Sequence, residues 1–241
     1  MRINRFLASA GLGSRRACED LVREGRVYIN NVVVTDLATQ VSPQDVVRVG
    51  RRVVKAQTHV YLLLNKPAGY VCTASDELGR KTIFDLVPNK RGRLFHVGRL
   101  DKESQGLILL TNDGEFAERL THPSHQIDKE YEVVLDKPFD PDHIPKLLRG
   151  MTLEIGRARM EGVVVLAPAK LRVVLRQGLK RQIREMFWKV GYRVKKLVRT
   201  RIGPLTDPRL KPGHWRPLEA EEIAALKEAT GAVSRRKPRP H

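Results

Sequence analysis

The sequence predicts an α+β protein in two parts: a small N-terminal unit of two helices then a small sheet, and a larger domain built on a mixed, mainly antiparallel β-sheet with flanking helices. Three observations predict it. Helical spacing of apolar residues is confined to a few segments, two of them at the N-terminus. Most other apolar residues fall in short runs or in strict alternation bounded by Gly, Pro and Asn, the pattern of strands. An Arg-rich stretch without helical spacing, residues 50–58, reads as a linker and marks the passage from residues 1–56 to residues 59–231.

In the N-terminal unit, Ile3, Phe6, Leu7 and Ala10 share one helical face. Gly11 and Gly13 end that helix. Ser14 is suited to cap the next, whose apolar face is Ala17, Cys18, Leu21 and Val22 and which ends at Gly25. Val27 and Ile29 begin a strand, Asn30-Asn31 can turn it into Val32, Val33 and Val34, and residues 45–49 form a last short strand. In the larger domain, residues 60–64 read as a strand closed by the turn Lys66-Pro67-Ala68-Gly69. Residues 107–110 form a second strand, and Asn112-Asp113-Gly114 caps a helix through Leu120. Tyr131, Val133 and Leu135 alternate on one strand face. Residues 171–175 give a further strand, followed by a helix over 180–190. The tail, residues 234–241, has four basic residues, two prolines and no acid, and is expected to be a disordered extension with weak affinity for RNA.

The chain has 241 residues, 41% of them hydrophobic, enough for a sizeable core. Its formal charge of +18 fits a polyanion partner, an anionic membrane surface or solubility alone. No apolar run approaches the ~20 residues that span a bilayer. The N-terminus alternates charge with apolar residues and shows no signal-peptide core, so a cytoplasmic protein without a membrane partner is expected. Cys18 and Cys72 are far apart and form no C-x-x-C pair, which argues against a disulfide framework or a cysteine zinc site. His122 and His125 lie three apart, but no carboxylate or cysteine completes a site. No Walker or H-E-x-x-H pattern occurs, so neither a metal nor a cofactor is expected. Basic charge is concentrated in two places. Arg15, Arg16, Arg23 and Arg26 cluster around the second helix, and the stretch from Lys170 to Arg201 holds twelve basic residues against one acidic, Glu185.

The most informative stretch is Gly98-Arg99-Leu100-Asp101-Lys102-Glu103-Ser104-Gln105-Gly106-Leu107, running on to Leu110-Thr111-Asn112-Asp113-Gly114. Read by itself it is a polar loop entering a buried strand, a common place for catalytic groups. Arg99 and Lys102 beside Asp101 would keep its carboxylate ionised, but a surface ion pair would look the same. G-R-L-D-x-x-S-x-G-L followed by L-T-N-D-G resembles the catalytic motif of the ribosomal RNA pseudouridine synthases. Leu63-Leu64-Asn65-Lys66-Pro67 with Gly69 is similar to that family's opening strand and turn, Lys129-Glu130-Tyr131 to its tyrosine motif, and Gln177-Gly178-Leu179-Lys180-Arg181-Gln182-Ile183-Arg184 to its late basic motif. Gly13-Ser14-Arg15-Arg16-Ala17 and Glu24-Gly25-Arg26-Val27 resemble the αL RNA-binding module of the ribosomal protein S-four type. The resemblance covers nearly the whole chain except the tail. Details such as Asp136-Lys137-Pro138 and Arg199-Thr200-Arg201-Ile202 look more like the large-subunit synthase F branch than the small-subunit enzyme. Glu185 departs from the family, where a basic residue usually follows the Arg184 position.

The resemblance implies isomerisation of a uridine in 23S ribosomal RNA: cleavage of the N1–C1′ bond, rotation of the base and rejoining through C5, with no metal, nucleotide or flavin. Asp101 would form an adduct with the nucleotide or act as a base at C2′; sequence does not separate these. The resemblance also implies that Arg184 pairs with Asp101, that Tyr131 stacks on the flipped uracil and assists proton removal at C5, and that Ile183 lines the pocket. Arg15, Arg16 and Arg26 in the N-terminal module, and Arg99, Lys102, Lys180, Arg181, Lys195 and Lys196 in the larger domain, are the expected RNA contacts. Ribosomal RNA is the expected partner, with transfer RNA as a side substrate and the chain acting as a monomer. A 16S enzyme is the alternative within the family. A non-catalytic RNA-binding assembly protein would explain the charge but not Asp101, Tyr131 and Arg184 together, and a metal-dependent nuclease would need a carboxylate partner for Asp101.

Overall fold

The computed structural model describes residues 1–74, 76–87, 93–122, 124–125, 127–154 and 156–232. The expected basic tail lies outside the described residues. The chain falls into two compact units, one built mainly of Met1–Val60 and the other of most of the remainder.

The first unit begins with α1 (Ile3–Ser9) and α2 (Arg15–Arg23). Ser14 caps α2 as its sequence position requires: its hydroxyl accepts from Ala17 N at 3.1 Å. β1 (Val27–Ile29) and β2 (Val32–Val34) form a hairpin whose two turn residues, Asn30 and Asn31, both take positive φ (50° and 68°). That is the turn geometry that matches strand twist, and asparagine tolerates it better than most residues. β3 (Val47–Val49) pairs with β1, and β4 (Arg52–Val53) pairs with β3. The stretch expected as linker is therefore partly structured. A turn at Gly50, φ 57°, folds it back on β3, and Val54 is buried with Ile3, Leu7, Cys18, Val22 and Val27 in the unit's core.

The second unit is a nine-stranded sheet. Its strands are β5 (Tyr61–Lys66), β6 (Phe95–Val97), β7 (Gln105–Thr111), β8 (Lys129–Leu135), β11 (Gly162–Ala167), β12 (Lys170–Leu175), β13 (Val194–Ile202), β14 (Leu205–Thr206) and β15 (Trp215–Pro217). A separate two-stranded ribbon is made by β9 (Met151–Leu153) and β10 (Gly156–Ala158). The main path runs β11-β12-β8-β13-β7-β5-β15, with β6 on β7 and β14 on β13. All pairings are antiparallel except β13 with β7. α3 (Gly114–Thr121) and α6 (Ala220–Ala232) contribute Phe116, Leu120 and Leu226 to a core with Leu63, Leu107, Leu109 and Ile202. Burying each such side chain is worth about 1.5–3 kcal/mol. α4 (Ile144–Arg149) precedes the ribbon, and α5 (Gln182–Lys189) buries Met186 and Phe187. Phe187 packs edge-on to Phe139, with ring centroids 5.9 Å apart.

The parallel pairing of β7 with β13 depends on Gly106. Its φ is 108°, and a Cβ there would lie 2.2 Å from Arg199 O and 2.5 Å from Arg199 N. Only glycine lets the two backbones approach so closely. That contact sets the loop before β7 against the centre of the sheet.

Candidate active site

The loop preceding β7 is fixed from below by one lysine. Lys66, at the end of β5, is completely buried. Its Nζ donates to Ser104 O (2.7 Å), Pro67 O (3.1 Å) and Lys102 O (3.2 Å), which uses all three of its donors. Burial pushes its ammonium below the usual lysine range, and Cys72, Asp101 and Glu103 pull it back up. Gly69 N also donates to Lys102 O (2.8 Å), and Ser104 N closes a turn onto Asp101 O (3.0 Å). The loop's backbone is therefore held directly after Asp101, and on its other side Leu100 N donates to Cys72 Sγ at 3.4 Å.

Asp101 opens into a cleft of about 570 Å³ whose walls include Tyr131, Ile183, Leu197, Lys129 and Arg199. Tyr131 reaches it from β8 because it follows the inward alternation with Val133 and Leu135. It is 8% exposed, leaving part of the ring at the cleft surface. Of the other expected residues, Arg99, Lys180 and Arg181 also line the cleft. Lys102 is exposed on the loop, and Lys195 and Lys196 are exposed on β13, outside that lining. Arg15, Arg16 and Arg26 are exposed in the other unit, where Arg26 pairs with Glu24 at 3.2 Å.

The expected pairing of Arg184 with Asp101 is not formed. Among the described residues, the guanidinium within ion-pair distance of Asp101 is that of Arg181, Nη1 to Oδ2 4.0 Å, and the same nitrogen lies 3.5 Å from Glu103. The reason is local backbone. Arg181 caps α5 in the left-handed region (φ 54°, ψ 23°), a conformation that costs a non-glycine residue about 1–3 kcal/mol and that clusters at functional sites. Arg184, one turn on, donates through Nη1 to Val194 O at 2.9 Å, and its Nε is buried without a partner among the described residues. Burial and then Arg181 lower its pKa, while Asp101 and Glu103 raise it, so its charge is felt by the pair without an ion-pair contact.

Lys66, Lys129 and Arg199 are the residues that sequence reasoning missed. Lys129 Nζ donates to Ile127 O (3.1 Å) and Arg176 O (3.0 Å), and Arg199 Nε donates to Leu107 O (2.6 Å). The signal was present for two of them: Lys129 shares the inward phase of Tyr131, and Arg199 that of Leu197.

A half-buried carboxylate, an aromatic ring, an apolar wall and several cations with no fixed counter-charge suit a pyrimidine nucleotide. Residues 60–189 match the RNA pseudouridylate synthase family, and residues 1–47 match the S4 domain. The chain belongs to the RNA pseudouridine synthase family. The synthase is 44% identical to an uncharacterized RNA pseudouridine synthase of Mycobacterium tuberculosis, over 96% of this chain and 94% of the relative. It is 38% identical to ribosomal large subunit pseudouridine synthase B of Bacillus subtilis, over 94% of this chain and 95% of the relative. The crystal structure of a pseudouridylate synthase has the same fold, with a TM-score of 0.69 and 28% identity over 94% of this chain and 99% of that one. The Bacillus relative carries the name B, so it gives no support to the F branch that the motif details favour. The synthase is an isomerase, with an S4 domain ahead of its catalytic sheet. Among the described residues no helix is long and apolar enough to cross a membrane.

Proposed function

We propose that the synthase isomerises a uridine of large-subunit ribosomal RNA, with Asp101 as the carboxylate that works at the sugar. One observation carries this reading: Asp101 stands on a loop pinned by Lys66 and opens into a cleft that also holds Tyr131 and Ile183. The target uridine leaves its stack to enter the cleft, at a cost of a few kcal/mol that is least in loops and bulges. Tyr131 takes the face of the flipped base and Ile183 lines the pocket. Arg181, 4.0 Å from the carboxylate, orients Asp101, and Arg184 adds positive potential without an ion-pair contact. Arg99 and Lys180 at the cleft, Lys102 on the Asp101 loop, and Lys195 and Lys196 on β13 meet phosphates. Arg15, Arg16 and Arg26 of the S4 domain supply a second tethered contact that raises the effective concentration of substrate. Large-subunit specificity is supported by the names of relatives from Bacillus subtilis and Vibrio cholerae, both ribosomal large subunit pseudouridine synthase B.

The test is a comparison of pseudouridine positions in ribosomal RNA from cells with the gene, without it, and with Asp101→Asn in its place. One 23S position should lose its modification in the second and third strains. Loss at a 16S position instead would transfer the assignment to the small subunit, and an unchanged map with Asp101→Asn would refute the role of Asp101.

A further inference from the structure

Two cations in the cleft form no ion pair with a carboxylate among the described residues. Arg199 stands opposite Tyr131 in the antiparallel register of β13 and β8, and Lys129 lies two residues from Tyr131, so both share the strand face that carries the tyrosine. Both line the cleft. Arg199 is 3% exposed, and after its bond to Leu107 O its Nη2 is buried with no partner among the described residues. A buried N–H that has lost water and gained no acceptor is costly, and native proteins seldom keep one without a use. Lys129 gives two donors to backbone carbonyls and keeps a third position unspent. Asp128, the carboxylate next to it in the chain, is held by Arg176 at 2.7 Å. The two cations also act against each other: burial first and then Arg199 lower the Lys129 ammonium, and Asp128 only partly raises it again.

We propose that Lys129 and Arg199 form an anion site for the uracil base itself, holding its oxygens while it is detached from the sugar. The inference rests on the reading that Asp101 works at the sugar. When N1–C1′ breaks, the bonding pair stays on the base, which becomes a monoanion with charge shared by N1, O2 and O4. C1′ is taken by the Asp101 carboxylate, or C2′ loses a proton. The base turns, and C5 gives its electron pair to C1′ as the Asp101–C1′ bond breaks and the carboxylate leaves, or, on the glycal route, as C2′ takes back its proton; the C5 proton then leaves and N1 takes one up, so no electrons are gained or lost overall. Between these steps a detached anion must be retained yet free to rotate. Buried Arg199 and half-buried Lys129 at the tyrosine face stabilise that charge without reorganising, and each can donate to either oxygen in turn. RNA phosphates are placed otherwise: they stay at the mouth, where Arg99, Lys180 and Arg181 are exposed.

The test uses single-turnover conversion of a ribosomal RNA fragment that the wild-type enzyme modifies, with uridine or 5-fluorouridine at the target, read by nuclease digestion and mass spectrometry. Fluorine withdraws charge from the base anion and leaves C5 without a proton to lose, so loss of 5-fluorouridine reports N1–C1′ cleavage. Lys129→Met should slow uridine conversion by ~10²-fold at unchanged RNA affinity, as loss of one oxyanion donor does elsewhere, and slow the fluorinated substrate by at least tenfold less. Lys129→Arg, which keeps the charge, should recover most of the rate. Arg199→Lys, which keeps a cation and guards against misfolding, should show the same substrate dependence. Equal slowing on both RNAs, loss of affinity alone or no change would each overturn the proposal. Asp101→Asn should be inactive on both RNAs. If it were active, the Asp101 reading would fall, and the substrate dependence of Lys129→Met could still be read separately.

Discussion

Lys129→Met separates what this half-buried lysine does for chemistry from what it costs in stability. Burial and Arg199 lower the Lys129 pKa from 10.5 to about 8. In the unfolded chain it returns to its ordinary value. Below pH 8 both states hold the proton and the destabilisation is constant. Between 8 and 10.5 the unfolded chain holds more protons than the folded one, so stability rises with pH. Integrated, this contributes roughly 2–3 kcal/mol of added stability between pH 7 and 10, most of the total. Methionine has similar length and no charge, so the variant should lack that rise. The assay is urea unfolding followed by tryptophan fluorescence at pH 7, 8, 9 and 10. Trp188 and Trp215 both lie in the catalytic unit, so the signal reports that unit. The difference between the two proteins cancels every other group that titrates alike in both. Stability curves that stay parallel from pH 8 to 10 would show that Lys129 is hydrated and ordinary, and would refute the burial reasoning.

Asp101→Asn should reduce single-turnover pseudouridine formation by at least ~10⁴-fold with RNA affinity nearly unchanged, and retention of a tenth of the wild-type rate would end its assignment. Arg181→Met should cost more in the chemical step than Arg184→Met, because Arg181 is the guanidinium at 4.0 Å from Asp101; the reverse order in rates at saturating RNA would restore Arg184 as its partner. Gly106→Ala places a methyl group 2.2 Å from Arg199 O, so the Asp101 loop must shift; we expect a loss of at least ~2 kcal/mol in stability together with a fall in rate, checked by the same unfolding and turnover assays. Lys195→Ala and Lys196→Ala should each lower the log–log salt slope of RNA binding by up to ~1 and leave the saturated rate alone, as measured by titrations at several salt concentrations.

Much of the fold could be read from the sequence because it follows strict local rules. Ser14 caps, Asn30-Asn31 turns, and Tyr131, Val133 and Leu135 alternate inward in the structure as in the pattern. What could not be read depended on a single backbone conformation or on burial of charge. Arg181 and Arg184 are three apart, so helical spacing places both on one face and cannot choose between them. The choice is made by the left-handed φ at Arg181, which places that residue just outside the helix. β4 escaped notice because Arg52-Val53 is too short to alternate visibly, and only the turn at Gly50 reveals it. Lys129 and Arg199 were counted with the RNA-facing charge, or passed over, because lysine and arginine are almost never buried without a partner.

Donor arithmetic sorts the cations of the site by purpose. Lys66 has three N–H groups and three carbonyl acceptors, all in its own fold. Nothing remains for a substrate, so its work is architectural: it ties the backbone just after Asp101, at Lys102 and Ser104, to the end of β5. Arg216 is equally committed, bidentate to Glu222 at 2.7 Å and bound to Asp207 at 2.6 Å, and it stands away from the cleft. Arg184 and Arg199 each keep a buried N–H without a partner among the described residues, half-buried Lys129 gives only two of its three donors to the fold, and Lys129 and Arg199 line the cleft. A fold that only needed positive charge for RNA would leave it on the surface, where water satisfies every N–H and an exposed lysine costs nothing to keep. Placing it instead on the strand face beside Tyr131, short of acceptors, is destabilising at rest, and that cost is offset only when an anion enters the cleft. The distribution of unmet donors therefore marks where negative charge develops during the reaction, as the net charge of +18 alone does not.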